Sequence, residues 1–230
     1  MPIEIVPIRL SVSNAYLLKG ERPVLVDAGS KKEGDAIERA CGKAGVALRD
    51  LSLILHTHAH SDHVGSSADL LRRSGAPGAL HPTDDDLLKQ GSNGHLDGIG
   101  LRGKVMSPVF SNLKFEPFGP AVRLKDDMAL DEYGLPGARV VETPGHTGGS
   151  VSVLLGDGQA VVGDVLMGGG LGGKWRPRDV RYHYFAEDFA AIRRSTARLL
   201  GLGVAKWHPG HGGPLSGDDV RAFAQAHDII

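Results

Sequence analysis

The chain has 230 residues, with 26 lysines and arginines against 27 aspartates and glutamates and a formal net charge of −1 at pH 7. That balance, with no block of five like charges, leaves no phosphate-neutralising surface, so a nucleic-acid partner is not expected. Hydrophobic residues at 41% and charged residues at 23% exclude a disordered or fibrous chain and suffice for one large domain over 1–230.

No apolar run approaches the roughly 20 residues of a membrane span, and the Met-Pro-Ile-Glu-Ile-Val start has neither a cationic nor a continuously apolar stretch. The expectation is a soluble, cytoplasmic protein without a membrane partner. The single cysteine, Cys41, has no internal disulfide partner, in keeping with a reducing compartment.

Taken in order, 3–9, 15–18 and 23–27 are short Val/Ile/Leu-bearing runs broken by turn residues, which predicts an antiparallel meander. Ser30 and Glu33 have capping-box spacing ahead of a helix whose stripe is Ile37, Ala40, Cys41 and Ala44 and whose stop is Gly45. Cys41 on that stripe reads as a buried structural thiol. A strand over Leu51–Leu55, a histidine-rich loop over 56–63 and a helix over about 62–74 follow. Residues 82–91 read as a short helix and 92–118 as irregular. The second half predicts strands at 138–141, 150–155 and 159–163, an irregular stretch over 165–186, a helix over 187–200, a strand over 204–207 and a last helix over 217–227 behind Ser216.

Eleven histidines are the feature of the composition that stands out. Segment 56–65 contains His58-Ala59-His60-Ser61-Asp62-His63, a His-x-His-x-Asp-His pattern that random placement of this chain's histidines and aspartates would produce in roughly two chains per thousand. In an extended loop alternate side chains leave on one side, so His58 and His60 can share an ion while His63, next to Asp62, is aimed elsewhere. The spacing therefore suggests two metals. Further ligands should follow other strands, and three such residues do: His146 after 138–141, Asp164 at the end of 159–163, and His211 after 204–207, each among Pro and Gly that make tight loops.

These patches, in this order, resemble the metallo-β-lactamase superfamily. The resemblance implies an α/β (α+β) chain folded as a four-layer αββα sandwich. It implies that His58, His60 and His146 hold one ion, that Asp62, His63 and His211 hold the second, and that Asp164 bridges them. Imidazole with carboxylate suits two divalent ions, Zn²⁺ first, with Fe or Mn fitting the same set.

His208 competes with His211 for the last position. His211 is preferred because the family's final ligand sits in a Gly-His-Gly type of turn. His56 is read as packing beside the site, and His81, His95 and His227 as residues without chemistry. Related lactonases carry a tyrosine near the substrate carbonyl after the bridging aspartate, which nominates Tyr182 and Tyr184, with His183 between them, as oxyanion donors.

The expected reaction is hydrolysis, with hydroxide shared by the two metals attacking a carbonyl carbon and Asp62 moving a proton to the leaving group. The superfamily's β-lactamases mostly carry cysteine or serine where this chain has Asp164. Hydroxyacylglutathione hydrolases add a C-terminal helical domain, whereas here 19 residues follow His211. Processing nucleases such as ribonuclease Z add basic arms. A lactonase or thioesterase acting on a small acyl substrate is therefore favoured, with apolar residues in 92–118 and Met167, Trp175, Tyr182 and Tyr184 suited to an acyl chain or aromatic group. Mononuclear iron on His58, His146 and Asp164, as in a persulfide dioxygenase, is the alternative, followed by a phosphodiesterase of the same fold. A homo-oligomer is left open.

Overall fold

Near-continuous runs of Val, Leu and Ile make central strands that are buried on both faces, and the chain uses them to build two facing sheets. The computed structural model describes residues 2–230. Strands β1 (Glu4–Arg9), β2 (Asn14–Lys19) and β3 (Pro23–Val26) form the expected meander. Strands β4 (Leu53–Leu55), β5 (Gly78–Leu80) and β6 (Val122–Arg123) then add in parallel, completing a six-stranded sheet in sequence order. The second sheet holds β7 (Arg139–Glu142), β8 (Val151–Leu154), β9 (Gln159–Gly163), β12 (Lys206–Pro209) and β13 (Leu215–Ser216), in the order β13-β12-β9-β8-β7. Only β12 and β9 run parallel there.

Each strand sends alternate residues to opposite sides, and this assembles the layers. Leu18, Val24, Leu53 and Leu55 of the first sheet pack directly on Val140, Val151, Val153 and Val161 of the second. On the outer face of the first sheet, Leu17, Leu25 and Ile54 bury Ile37 and Cys41 of α1 (Gly34–Lys43) and Leu70 of α3 (Ser67–Ser74). Outside the second sheet, Leu154, Val162 and Trp207 bury Leu199 and Leu200 of α6 (Phe189–Gly201) and Val220 and Ala224 of α7 (Gly217–Ala226). The order is helix, sheet, sheet, helix, the αββα sandwich. Each such apolar side chain contributes roughly 1.5–3 kcal/mol on burial, so this frame owes nothing to the histidines at its edge. Cys41 is buried and unpaired, and burial pushes its thiol up to about 11. No helix among the described residues is long and apolar enough to cross a membrane.

The sequence expectations need correction in four places. The helix expected over 62–74 is two, α2 (Ser61–Val64) and α3, because Gly65 lies against Ser61 O and the backbone of Ser30 and Lys31, where no side chain fits. α1 starts at Gly34: the Glu33 carboxylate accepts from Ser30 N (2.6 Å), but Glu33 N donates to Ser66 Oγ (2.9 Å) rather than to the Ser30 side chain. After α4 (Asp85–Gln90), the stretch taken as irregular contains α5 (Gly100–Phe110). The second irregular stretch contains a hairpin of β10 (Met167–Gly170) and β11 (Trp175–Arg181), whose glycines and Pro177 read as breakers.

Candidate metal centre

Every strand that feeds the site ends at the same rim of the sandwich. The turn after β4 carries His58, His60, Asp62 and His63. The turn after β7 carries His146, β9 runs into Asp164, and the turn after β12 carries His211. Tight packing of the frame brings these separate turns together around one carboxylate oxygen. Asp164 Oδ2 lies 3.2 Å from His211 Nε2, 3.4 Å from His146 Nε2, 3.5 Å from His63 Nε2 and 4.0 Å from His58 Nε2. Asp62 Oδ2 lies 3.4 Å from His211 Nε2 and 3.8 Å from His63 Nε2. His60 turns its Nδ1 inward, 2.9 Å from His146 Nε2.

Distance alone sorts these atoms into overlapping sets. His58, His60 and His146 form one, Asp62, His63 and His211 another, and Asp164 joins His58 and His63 in a third, the atoms of each set within 4.8 Å of one another. The Nε2 atoms of His58, His63 and His211 and Oδ1 of Asp164 are buried without a hydrogen-bond partner. Buried polar atoms normally find partners, and four orphans within one cluster of imidazoles and carboxylates are what cation binding requires. Imidazoles with two carboxylates suit Zn²⁺ or Fe. The residues fit the pair of divalent ions that the family resemblance implies.

The far side of each ring fixes its orientation. His63 Nδ1 donates to Asp27 Oδ2 (2.8 Å), His146 Nδ1 to Phe185 O (2.9 Å) and His211 Nδ1 to Val12 O (2.7 Å). Thr57 Oγ1 donates to Asp27 Oδ2 (2.8 Å) and so accepts from His58 Nδ1 (3.1 Å). A proton held on Nδ1 leaves the Nε2 lone pair free for a metal.

Charge is distributed unevenly over the cluster. Burial drives protons off His58, His60 and His146. Burial acts the same way on His63 and His211, but the carboxylates outweigh it: Asp164, Asp27 and Asp62 raise His63, and Asp164 with Asp62 takes His211 up to about 10. In return, and against burial, His63 and His211 hold Asp62 below the usual carboxylate range, and His211, His183 and His63 do so for Asp164. The Asp62–Asp164 end favours positive charge most.

The family model described as the metallo-beta-lactamase superfamily matches residues 8–211. The chain belongs to the metallo-β-lactamase superfamily. It is 25% identical to "Probable metallo-hydrolase MJ0888" of Methanocaldococcus jannaschii, over 87% of each chain, and 31% identical to "Probable metallo-hydrolase YqgX" of Bacillus subtilis, over 70% of this chain and 69% of that one. A hydroxyacylglutathione hydrolase of Acidiphilium cryptum is 28% identical over 73% of this chain but only 54% of its own length. Among solved structures, that of TTHA1623 in a di-iron-bound form superposes with a TM-score of 0.66 at 30% identity, covering 95% of this chain and 96% of that one.

Within this metallo-β-lactamase fold, the seven residues singled out in the sequence stand together, His183 joins them, and His56 and His208 stand apart. His208 turns to Gln159 Oε1 (3.0 Å) and Tyr16, and His56 lies between Ala79 O (2.9 Å) and Ser67 Oγ (2.7 Å). Tyr182 is not brought to the cluster. Its ring packs on Phe189, Phe223 and His227 in the layer between α6 and α7, because the turn after β11 sends 182 and 183 to opposite sides. Tyr184 lines the cleft above the cluster.

Two residues were not recognised from the sequence, and a third, His183, was named there only beside the two tyrosines. Asp27 supports the turn of His58 and His63. Asp84 accepts from Ala59 N (2.9 Å), Thr147 Oγ1 (2.9 Å) and Gly149 N (2.8 Å), tying the first histidine turn to that of His146. His183 Nε2 lies 3.4 Å from Asp164 Oδ2. For Asp27 the signal was present in Val24-Leu25-Val26-Asp27-Ala28-Gly29, a strand running straight into a carboxylate. Asp84, in Asp84-Asp85-Asp86, had none.

Proposed function

We propose that the protein is a metal-dependent hydrolase of carboxylic ester-type bonds, a lactone or thioester with an apolar acyl group. The observation that carries this reading is the cleft over the cluster. It encloses about 740 Å³, with Asp62, His146, Asp164 and His211 among its lining and Leu96, Met106, Phe110, Leu113 and Phe185 as apolar walls. A phosphodiester would need fixed cations beside the cluster. Arg102, Arg176, Arg178 and Arg181 instead line an open groove that adjoins the cleft at His183 and Tyr184, and Arg176 pairs with Asp179 at 2.9 Å. The lysines of the cleft, Lys31, Lys114 and Lys174, are exposed and suit a single carboxylate on a substrate rather than a polyanion.

Two ions held by the ligands above would supply Lewis acidity toward a carbonyl oxygen and make hydroxide available near neutral pH. The chain's own groups do the rest. The apolar walls hold the acyl group and exclude water, while Asp27, Val12 O and Phe185 O keep the three rings of His63, His211 and His146 in register. Asp62, the most exposed ligand candidate with 27% of its side chain accessible, is held as a carboxylate by His63 and His211, so it would accept the proton of the attacking hydroxide and return it to the departing alkoxide or thiolate. The relatives named as metallo-hydrolases support the reaction class, and the hydroxyacylglutathione hydrolase supports a thioester. The second complete set, Asp62, His63 and His211, favours a dinuclear site over mononuclear iron.

The test is kcat/KM for an acyl thioester, an acyl-substituted lactone and a bis-aryl phosphodiester at one metal loading, with elemental analysis of the same sample. Turnover of one of the first two and about two metals per chain is expected. A phosphodiester preferred tenfold or more, or a metal ratio that stays at one after Zn²⁺ is added back, would overturn the reading.

A further inference from the structure

His183 is buried, 8% exposed, and its Nε2 lies 3.4 Å from Asp164 Oδ2. By distance alone it forms a further metal-binding set with His146 and Asp164. The other ring nitrogen points to a different role. In His63, His146 and His211, Nδ1 faces an oxygen of a carboxylate or a peptide carbonyl, neither of which can donate, so Nδ1 carries a proton and Nε2 is the nitrogen left for a cation. In His183, Nδ1 faces a donor, the Phe185 N–H at 3.2 Å. The lone pair is therefore on Nδ1 and the proton on Nε2. A protonated Nε2 offers a cation nothing to bind.

One residue sets both states. The Phe185 carbonyl accepts the hydrogen bond of His146 Nδ1–H and leaves its Nε2 unprotonated, while the Phe185 N–H donates to Nδ1 of His183 and leaves that ring's proton on Nε2, 3.4 Å from Asp164 Oδ2. The rings of His146 and His183 stand edge to face at 4.5 Å, so the lone pair of one and the N–H of the other address neighbouring points. Both rings line the cleft, as does the Phe185 side chain.

We propose that His183 is not a metal ligand but the hydrogen-bond donor of the cleft, giving its Nε2–H to the acyl carbonyl oxygen of the bound ester or thioester. The donor half rests on the hydrolase reading above; the exclusion from metal binding does not. A donor already oriented in a dry site stabilises the charge that develops on that oxygen, and removal of one such group typically lowers kcat by about 10²–10³-fold.

The experiment uses the zinc-loaded full chain labelled with ¹⁵N-histidine. Two-bond proton–nitrogen correlation should show His183 with Nδ1 unprotonated and Nε2 protonated, and His63, His146 and His211 with the reverse. Elemental analysis should find the metal content of His183→Ala unchanged while that of His146→Ala falls. On the best acyl substrate, His183→Ala should lose about 10²-fold in kcat with KM changed less than about threefold, and His183→Gln, which keeps a side-chain N–H, should recover most of the loss. A metal-bound Nε2 on His183, or metal loss in His183→Ala equal to that in His146→Ala, overturns the exclusion. Unchanged kcat in His183→Ala overturns the donor role. If wild-type protein turns over none of the acyl substrates, the hydrolase reading and the donor role fall together, while the tautomer and the metal count still decide the exclusion.

Discussion

Asp27 sits at φ +63°, a backbone state that costs a non-glycine residue on the order of 1 kcal/mol or more. The strain is held because its buried carboxylate accepts from Thr57 N, Thr57 Oγ1 and His63 Nδ1, each at 2.8 Å. Asp27→Asn keeps the shape but places an amide N–H₂ or a weaker acceptor against His63. Metal affinity at the ion that His63 faces should fall about 10–100-fold in competition with a chromogenic chelator, with the far-UV spectrum unchanged.

His208 makes a separate prediction. Burial, then Lys206, lowers it from 6.5 to about 4. A folded value below the unfolded one means that the unfolded chain binds the proton more readily, so this group costs stability as pH falls from about 6.5 towards 4 and nothing above that window. The full penalty is about 3 kcal/mol. Urea unfolding of wild type and His208→Gln at pH 7.5 and pH 5 should show a larger acid loss in wild type, by about 2 kcal/mol. Equal losses would show that His208 is protonated without penalty in the fold.

At the scale of elements, the turn after β12 must approach the cluster more closely than any side chain permits. A Cβ at Gly210 would overlap Asp164 Oδ1 and His63 Cε1. Gly210→Ala should therefore lose bound metal while the sandwich, whose core lies elsewhere, keeps its melting transition in the metal-free state within about 2 °C. Elemental analysis and calorimetry of the one sample check this.

The elements missed in the sequence have a common cause. In α5, Leu101, Val105 and Val109 are exposed at 80%, 69% and 68%, Met106 and Phe110 line the cleft, and Pro108 interrupts the ladder, so no one-sided stripe announces a helix. The β10–β11 hairpin hides behind Gly168-Gly169-Gly170, where Pro177 O and Trp175 O press against the glycine backbone and exclude a Cβ.

Considered whole, the site draws on both sheets. His58 to His63 hang from the first, and His146, Asp164 and His211 from the second. Asn14 Nδ2 in the first sheet reaches Pro209 O (3.0 Å) and Gly212 O (2.9 Å) across the gap, and Tyr16 Oη donates to Pro209 O (2.7 Å). Bound ions would bridge the same gap. A ligand present at a thousand times its Kd stabilises by about 4 kcal/mol. For a chain of this length that is on the order of 10 °C in Tm, and dipicolinate treatment should lower the transition by about that much without changing the far-UV spectrum. A Tm unmoved by chelation, in protein shown to lose its metal, would mean that the two sheets need no metal bridge.

The local sequence determined the strand-turn rhythm and the seven clustered residues, because both are short-range information. A period of two, a Gly or Pro at the turn, and His-x-His-x-Asp-His spacing need no distant partner. Tertiary structure decided what those residues can do. His208 and His211 are three positions apart, the first inside β12 and the second in the turn after it, yet one meets Gln159 and the other Asp164 and Val12 O, and only the packing of β12 beside β9 and against β2 makes the difference. The same holds for the proton on each ring. A side chain's type is written at its own position, but whether its imidazole binds a cation or donates to a substrate depends on what the folded chain sets against Nδ1, which for His211 comes from 199 residues away.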